Sequence, residues 1–134
     1  MLDTNVAIHL RDGDHRVARD VAALDGAVLF SIVTRVELDG GVYRDPAQAH
    51  LRRARLDLMS RAIPSLAFDD AAADVYRAIV ARAGYSRRKL LDRMIAAQAL
   101  AHRATLVTFD AEDFADIPDL SLLVWQPTPP TVSK

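Results

Sequence analysis

The stretch LLDRMIAAQALAHRATLVTFD, residues 90–110, contains a long apolar segment followed closely by a short one. Residues 90–102 are apolar at most positions around a helix, a pattern that is typical of a buried helix. Thr105–Phe109 is a brief apolar run, which predicts a buried strand. Helices that alternate with buried strands predict a parallel sheet covered by helices on both faces.

The rest of the chain shows the same alternation of short apolar runs and longer helical patterns. The predicted strands are residues 1–3, Ala27–Ser31, Ser65–Phe68, Thr105–Phe109 and Leu120–Trp125. The predicted helices are Asn5–Leu10, Arg16–Leu24, Ile32–Val42 ending at Gly40-Gly41, Asp45-Pro46 to Arg61, Asp69-Asp70 to Gly84, Leu90–His102 and a turn at Asp113–Ile117. We therefore expect an α/β fold, a three-layer α/β/α sandwich with a short, mainly parallel sheet.

Composition narrows the class of protein further. The 134 residues are 51% apolar and 26% charged, with a net charge of −1, which indicates one globular domain. We assign it to residues 1–126, followed by a proline-rich tail at 127–134. The absence of cysteine excludes disulfides, thiolate metal sites and cysteine nucleophiles. No apolar run approaches the roughly 18 residues that span a bilayer, and no secretory signal is visible, so we expect a cytoplasmic protein without membrane contacts.

Five carboxylates stand at positions where chemistry is expected. Asp3 and Asp110 directly follow predicted strands, Asp113 lies one turn beyond Asp110, and ligands of parallel sheets gather beyond the carboxyl ends of the strands. Glu37 and Asp92 have small or apolar neighbours at helical spacing. A carboxylate in such surroundings is costly unless it is paired, protonated or bound to a metal.

Each of these carboxylates also has a purely structural interpretation, which for Glu37 is an ordinary solvated side chain. The three that follow strands are placed to cap the helical segments after them. Asp92 has Arg88 and Arg93 nearby in the sequence as possible ion-pair partners. The pattern of all five residues is therefore more informative than any one of them.

Several carboxylates at one edge of a sheet repel one another and favour a bound cation. Cysteine is absent and the four histidines lack ligand spacing, which disfavours zinc, whereas an all-oxygen site favours Mg²⁺ or Mn²⁺. These ions polarise phosphoryl oxygens and lower the pKa of bound water. The residues thus predict metal-assisted hydrolysis of a phosphodiester, with Glu37, Asp110 or Asp113 accepting or positioning a proton.

Four segments together resemble the PIN domain, in particular the VapC-type toxins of bacterial toxin–antitoxin pairs. They are MLDTNVAIHL (1–10), SIVTRVEL (31–38), LLDRMIAAQALAHRATLVTFDAEDF (90–114) and IPDLSLLVW (117–125). The resemblance extends in order from Leu2 to Trp125.

The resemblance implies roles for individual residues. Asp3 and Asp92 would be the main Mg²⁺ ligands, and Glu37 would be the third acidic residue of the site. The fourth acidic position falls on Asp110 or Asp113, because both are acidic here. The residues expected to orient carboxylates or water are Thr4, Asn5 and Thr108.

The same resemblance implies an activity and its partners. The activity is that of an endoribonuclease that uses Mg²⁺, or Mn²⁺ in its place, to cut structured RNA such as tRNA or ribosomal RNA. The expected assembly is a homodimer that is inhibited by a VapB-type antitoxin, in a heterotetramer or larger complex.

Arginine-rich stretches add candidate RNA contacts. The segment before and after the start of the helix at Leu90 contains Arg87, Arg88, Lys89 and Arg93, which suit RNA phosphates or, alternatively, a solvated loop and helix start. A second group, on the helix that ends at Arg61, can flank the acidic cleft or serve a dimer or antitoxin surface. Its members are Arg52, Arg53, Arg55 and Arg61.

Two other readings of the sequence are less favourable. A catalytically inactive PIN-like module that binds RNA or protein would be indicated by a missing acidic position, and none is missing. A phospho-accepting receiver domain needs an aspartate pair after its first strand and a lysine late in the chain. Here Asp3 is followed by Thr4 and Asn5, and Lys89 precedes the fourth strand, so this class is set aside.

Overall fold

The structure, a computed structural model, describes residues 1–127, so the predicted tail apart from Pro127 lies outside the described residues. Its helices are α1 (Thr4–Arg11), α2 (His15–Ala22), α3 (Ile32–Arg44), α4 (Ala49–Ala62), α5 (Asp70–Ala83), α6 (Leu90–Ala101) and a 3-10 turn at Ala111–Phe114. Its strands are β1 (Phe30–Ser31), β2 (Ser65–Leu66), β3 (Leu106–Thr108) and β4 (Leu122–Val124). Within residues 1–127, no helix has the length and apolar character needed to cross a membrane.

The sheet is parallel, and the N-terminal segment lies at its centre. β1 pairs with β2, β3 pairs with β4, and Leu2 bridges Phe30 on one side and Val107 on the other. The Leu2 amide donates to the Leu29 carbonyl at 3.0 Å, and the Asp3 amide donates to the Val107 carbonyl at 2.9 Å. The order across the sheet is therefore β2, β1, Leu2, β3, β4, which confirms the predicted parallel sheet.

Neighbouring residues of the central strands pack on opposite faces of the sheet, as the period of a strand requires. Met1 and Leu106 belong to the apolar cluster formed with α5 and α6. Leu2 and Val107 belong to a second cluster, formed with helices α1 to α4. Because each face has its own helical cover, the predicted three-layer α/β/α sandwich is confirmed.

Helix α3 runs through Gly40-Gly41, where the sequence predicts its end. A Cβ at Gly41 would lie 3.1 Å from the Arg11 guanidinium, so the glycine leaves room for this side chain. The Gly41 carbonyl also accepts a hydrogen bond from Arg52 Nη1 at 3.1 Å. Tertiary contacts therefore compensate for the low helix propensity of the pair.

Other element boundaries differ from the prediction in smaller ways. Helix α4 begins at Ala49 rather than at Asp45-Pro46, because Asp45 accepts a hydrogen bond from the Ala47 amide at 3.1 Å in a turn that precedes the helix. The strands are shorter than predicted, since pairing is confined to two or three residues in each.

The buried amide of Gln98 connects the central layer to α6. Its Nε2 donates to the carbonyls of Leu66 and Ala67 at 3.0 and 2.9 Å, and its Oε1 accepts from the Ser31 hydroxyl. Satisfied in this way, a polar residue can lie inside a helix face that is otherwise made of alanine and isoleucine. These bonds fix the carboxyl ends of β1 and β2 against α6.

The two helix-interior glycines give a matched pair of substitutions. We expect Gly40→Ala to raise the free energy of unfolding by about 0.5–1 kcal/mol, because a Cβ there meets nothing within 4 Å. Gly41→Ala should gain less or lose stability, because Arg11 must move. Urea denaturation of both variants measures the difference, and equal effects would contradict the proposed packing of Arg11.

Candidate active site

Asp3 leaves the central strand and begins α1, so it is buried at the carboxyl edge of the sheet. Its Oδ1 accepts from the Thr4 amide at 2.8 Å, and its Oδ2 accepts from the Thr108 hydroxyl at 2.8 Å. Asp3 therefore caps α1, as the structural alternative predicted, and it also lies among other carboxylates. Burial, followed by repulsion from Glu37 and Asp113, raises the pKa of Asp3 although both hydrogen bonds act to lower it.

Glu37 is held by a chain of hydroxyl groups. Thr4 Oγ1 donates to Glu37 Oε1 at 2.8 Å and lies 3.0 Å from Thr34 Oγ1. Because the one hydroxyl proton of Thr4 is directed to Glu37, the Thr34 hydroxyl must donate to Thr4. Sequence reasoning did not select Thr34; its position one helical turn before Glu37 on α3 was the available signal.

Asp92, in the first turn of α6, is half-buried, and no hydrogen bond or ion pair joins its side chain to another residue in the described part of the chain. The alternative in which Arg88 or Arg93 neutralises it is therefore wrong. Burial raises the pKa of Asp92 from 3.8 to about 6, and repulsion from Asp3, the next largest cause, adds to the shift. A buried carboxylate with a raised pKa is typical of functional sites.

The two candidates for the fourth acidic position differ in their surroundings. Asp110 Oδ2 accepts from Asn5 Nδ2 at 3.4 Å, and the Asp110 amide donates to Thr108 Oγ1 at 3.0 Å. The negative charge of Asp113 raises the pKa of both Asp3 and Asp92. For Asp92, Asp110 is the weakest of the four repelling carboxylates. Asp113 therefore interacts more strongly with the other carboxylates.

Asp3, Glu37 and Asp92 line one cleft of about 700 Å³. Two more residues of the predicted site, Thr4 and Asn5, line the same cleft. Three arginines also line this cleft, namely Arg11, Arg44 and Arg52. An acidic group and a basic group therefore share one opening on the surface.

The oxygen-only chemistry of the cleft fits a hard divalent cation such as Mg²⁺ or Mn²⁺. In residues 1–127, no three histidine, aspartate or glutamate side chains lie close enough together, in this arrangement, to hold a metal ion. Burial is the largest cause of the raised pKa values of Asp3 and Asp92, and repulsion among the carboxylates, which a cation would relieve, adds to both. Asp92 lacks a hydrogen-bond partner within the described chain, so its side chain can turn toward a cation.

Arg93 is not available for RNA, which corrects one predicted contact. Its side chain is 4% exposed, its Nη2 lies 2.8 Å from Asp116 Oδ2, and its Nη1 donates to the Gly84 carbonyl. Lys89 Nζ lies 3.2 Å from the same Asp116 oxygen. Arg87 and Arg88 are exposed and form no ion pair within residues 1–127, so they remain predicted RNA contacts.

The arginines of α4 have different surroundings. Arg52 lines the cleft, whereas Arg53 pairs with Asp39 and Asp57 at 2.9 and 2.8 Å. Arg55 Nη1 donates to the Asp12 carbonyl, and Arg61 is exposed. Of these four arginines, only Arg52 lines the cleft. The other three bind other parts of the protein or are exposed to solvent.

The raised pKa of Asp92 predicts how its replacement changes stability with pH. A folded-state pKa near 6, above the ordinary 3.8, means that ionising Asp92 costs stability. This cost is absent below pH 3.8 and complete above pH 6. In the absence of divalent cations, Asp92→Asn should therefore be more stable than wild type at pH 7.5 and similar to it near pH 4, as measured by urea denaturation.

The exposed loop substitution Asp25→Asn is the control for this experiment and should behave like wild type at both pH values. An Asp92→Asn variant with the same stability difference at pH 4 and pH 7.5 would contradict the raised pKa.

Arg93 and Asp116 form an ion pair outside the cleft, and breaking this pair should lower the free energy of unfolding. Asp116→Ala leaves a buried guanidinium without its carboxylate, so we expect a loss of about 3 kcal/mol in the free energy of unfolding. Asp119→Ala breaks the exposed pair with Arg82 at 3.6 Å and should cost at most about 0.5 kcal/mol. Thermal and urea denaturation compare the two, and equal losses would show that Arg93 is not held as described.

Comparison with solved structures finds chains of the same fold. A chain of VapBC2 from Rickettsia felis, solved bound to a promoter DNA fragment, has a TM-score of 0.81 at 24% identity, over 94% of this chain and 98% of that one. A chain of FitAcB from Neisseria gonorrhoeae has a TM-score of 0.76 at 27% identity, over 90% and 94%. A chain of VapBC-1 from nontypeable Haemophilus influenzae has a TM-score of 0.75 at 26% identity, over 93% and 96%.

No curated protein sequence gives a significant match. The sequence model of the PIN domain matches residues 1–120, a range that includes every acidic residue of the cleft and both candidates for the fourth acidic position. By its sequence and its fold, this chain belongs to the PIN domain family.

Proposed function

We propose that this chain is the VapC-type toxin of a toxin–antitoxin pair and acts as an endoribonuclease that requires Mg²⁺ or Mn²⁺. The observation that carries the proposal is the cleft in which Asp3, Glu37 and Asp92 lie together at the carboxyl edge of a PIN sheet. Carboxylates that repel one another in this way favour a cation, and such a site suits phosphodiester hydrolysis. The proposed substrate is structured RNA such as tRNA or ribosomal RNA.

Asp3 and Asp92 would be the main ligands of the cation, with Glu37 beside them. Asp113 is proposed as the fourth acidic residue in preference to Asp110, because its charge acts on both Asp3 and Asp92. When bound, the ion would supply Lewis acidity to the phosphoryl oxygen and lower the pKa of a water molecule.

The side chains around the carboxylates have positioning roles in this proposal. Thr108 and the Thr4 amide hold the two oxygens of Asp3 in fixed directions. The Thr34 and Thr4 hydroxyls hold Glu37 through Oε1, so that Oε2 is available to accept a proton from the attacking water. In this arrangement Asp3 would bind the cation, and Glu37 would accept the proton.

The proposed partner is a VapB-type antitoxin in the cytoplasm. Support comes from the solved relatives, which are chains of VapBC and FitAcB proteins, and one of them is bound to DNA. We propose a homodimer that the antitoxin inhibits in a heterotetramer or larger complex. A catalytically inactive module that binds RNA or protein is the competing function, and cleavage experiments distinguish the two.

Cleavage of total RNA by the purified chain, freed of its partner, tests the activity. We expect cleavage with Mg²⁺ or Mn²⁺, none with EDTA, and a loss of at least about a hundredfold in Asp92→Asn, because several kcal/mol of transition-state stabilisation depend on the cation. Asp25→Asn is the control and should retain full activity. Equal inactivity of wild type and Asp92→Asn, with no binding of Mn²⁺, would overturn the nuclease and favour the binding module.

A further inference from the structure

The basic group in the cleft, formed by Arg11, Arg44 and Arg52, has no assigned role. Helices α1 and α3 both begin at the carboxyl edge of the sheet, where Asp3 and Ser31 cap them. Arg11 and Arg44 are the last residues of these two helices. Arg11 therefore lies about two helical turns from that edge and Arg44 about three, and both line the cleft that holds the carboxylates.

One face of α3 connects the two groups. Gly40, Gly41 and Arg44 come three, four and seven residues after Glu37, which places all four residues on one face of the helix. At 1.5 Å per residue, Glu37 and Arg44 begin ~10 Å apart along the helix axis. The two glycines between them add no side chain to the wall of the cleft, and the space above Gly40 is open.

The guanidinium groups retain unused hydrogen-bond donors. Arg44 is exposed and forms no hydrogen bond or ion pair within residues 1–127. Arg11 is 4% exposed and uses Nε to reach Asp12, while neither of its terminal nitrogens bonds to a described residue. Arg52 uses one nitrogen, Nη1, for the Gly41 carbonyl.

Apart from the pair of Arg11 with Asp12, which also lines the cleft, these arginines do not neutralise its acidic residues. In the described part of the chain, none of their nitrogens lies within 4.0 Å of a carboxylate oxygen of Asp3, Glu37 or Asp92. A position at a helix C-terminus explains why a positive charge is favourable at Arg11 and Arg44. It does not explain why both, together with Arg52 from another helix, line the same cleft.

We infer that Arg44 and Arg52, supported by Arg11, form a subsite for a backbone phosphate of the nucleic-acid substrate, next to the phosphate that is cleaved. The planar guanidinium fork matches phosphate oxygens and binds them through charge-assisted hydrogen bonds. A chain of regularly spaced phosphates can place one group at the carboxylate end, where a cation would bind, and another at the arginine end. This inference rests on the proposed nuclease function.

Binding of total tRNA in EDTA tests the subsite without requiring catalysis. We expect Arg44→Ala and Arg52→Ala each to weaken binding about tenfold. The slope of log affinity against log salt concentration should fall by about 1 for each phosphate contact that is lost. Arg44→Lys keeps the positive charge but loses the guanidinium fork, so its affinity should fall between those of wild type and Arg44→Ala. Arg77→Ala, an exposed arginine on α5 that does not line the cleft, is the control and should behave like wild type.

A second arm measures cleavage of the same tRNA with Mn²⁺. Arg44→Ala should raise KM and change kcat little, and urea denaturation of each variant should show a native fold. If wild type does not cleave while Arg44→Ala still loses tRNA binding, the nuclease proposal fails and the subsite stands. If wild type cleaves and Arg44→Ala, Arg52→Ala and Arg77→Ala bind tRNA alike, the subsite is overturned.

Two further outcomes would overturn the subsite. One is a wild-type chain that shows no measurable affinity for tRNA. The other is unchanged tRNA affinity in Arg44→Ala together with weaker binding of the co-purified antitoxin, which would assign these arginines to a protein interface.

Discussion

The pairing of Leu2 on both sides is the constraint on which the rest of the structure depends. Because its neighbours are β1 on one side and β3 on the other, the first residues of the chain form the centre of the sheet. Asp3 must then leave the sheet at the middle of its carboxyl edge, where α1 begins. Helix capping and membership of the acidic cluster are for this reason two properties of one residue, and neither interpretation excludes the other.

Hydroxyl groups make the acidic cluster compatible with a folded protein. Thr108 and Thr4 donate to Asp3 and Glu37, so part of the solvation lost on burial is replaced by fixed dipoles. Asp92 receives no such donor within the described chain, and its pKa shows the cost. Hydrogen bonds therefore orient Asp3 and Glu37, whereas nothing in the described chain replaces the water that Asp92 loses on burial. Asp92 is the carboxylate that gains most from a cation.

Local patterns were sufficient to predict the layers and the approach of Asp3, Glu37 and Asp92 to one another, because strand period, helix period and strand ends are encoded by neighbouring residues. Contacts between distant residues were not predictable in the same way. Arg93 looked like an RNA contact because Asp116, its partner, is 23 positions away. Gly40-Gly41 looked like a helix end because the Arg11 side chain that requires Gly41 comes from another helix. These are cases in which tertiary packing overrides local propensity.

The hydrogen bond from Thr108 to Asp3 spans 105 positions of the sequence. On a ribosome, the first residues of the chain leave the exit tunnel long before the strand that must lie beside them has been made. Until β3 has been made, Asp3 lacks the Thr108 hydroxyl, and closing such a long loop is an entropically costly step. The acidic cleft can consequently form only after β3 has been made, so truncated chains that end before β3 lack the Thr108 hydroxyl that holds Asp3 in place.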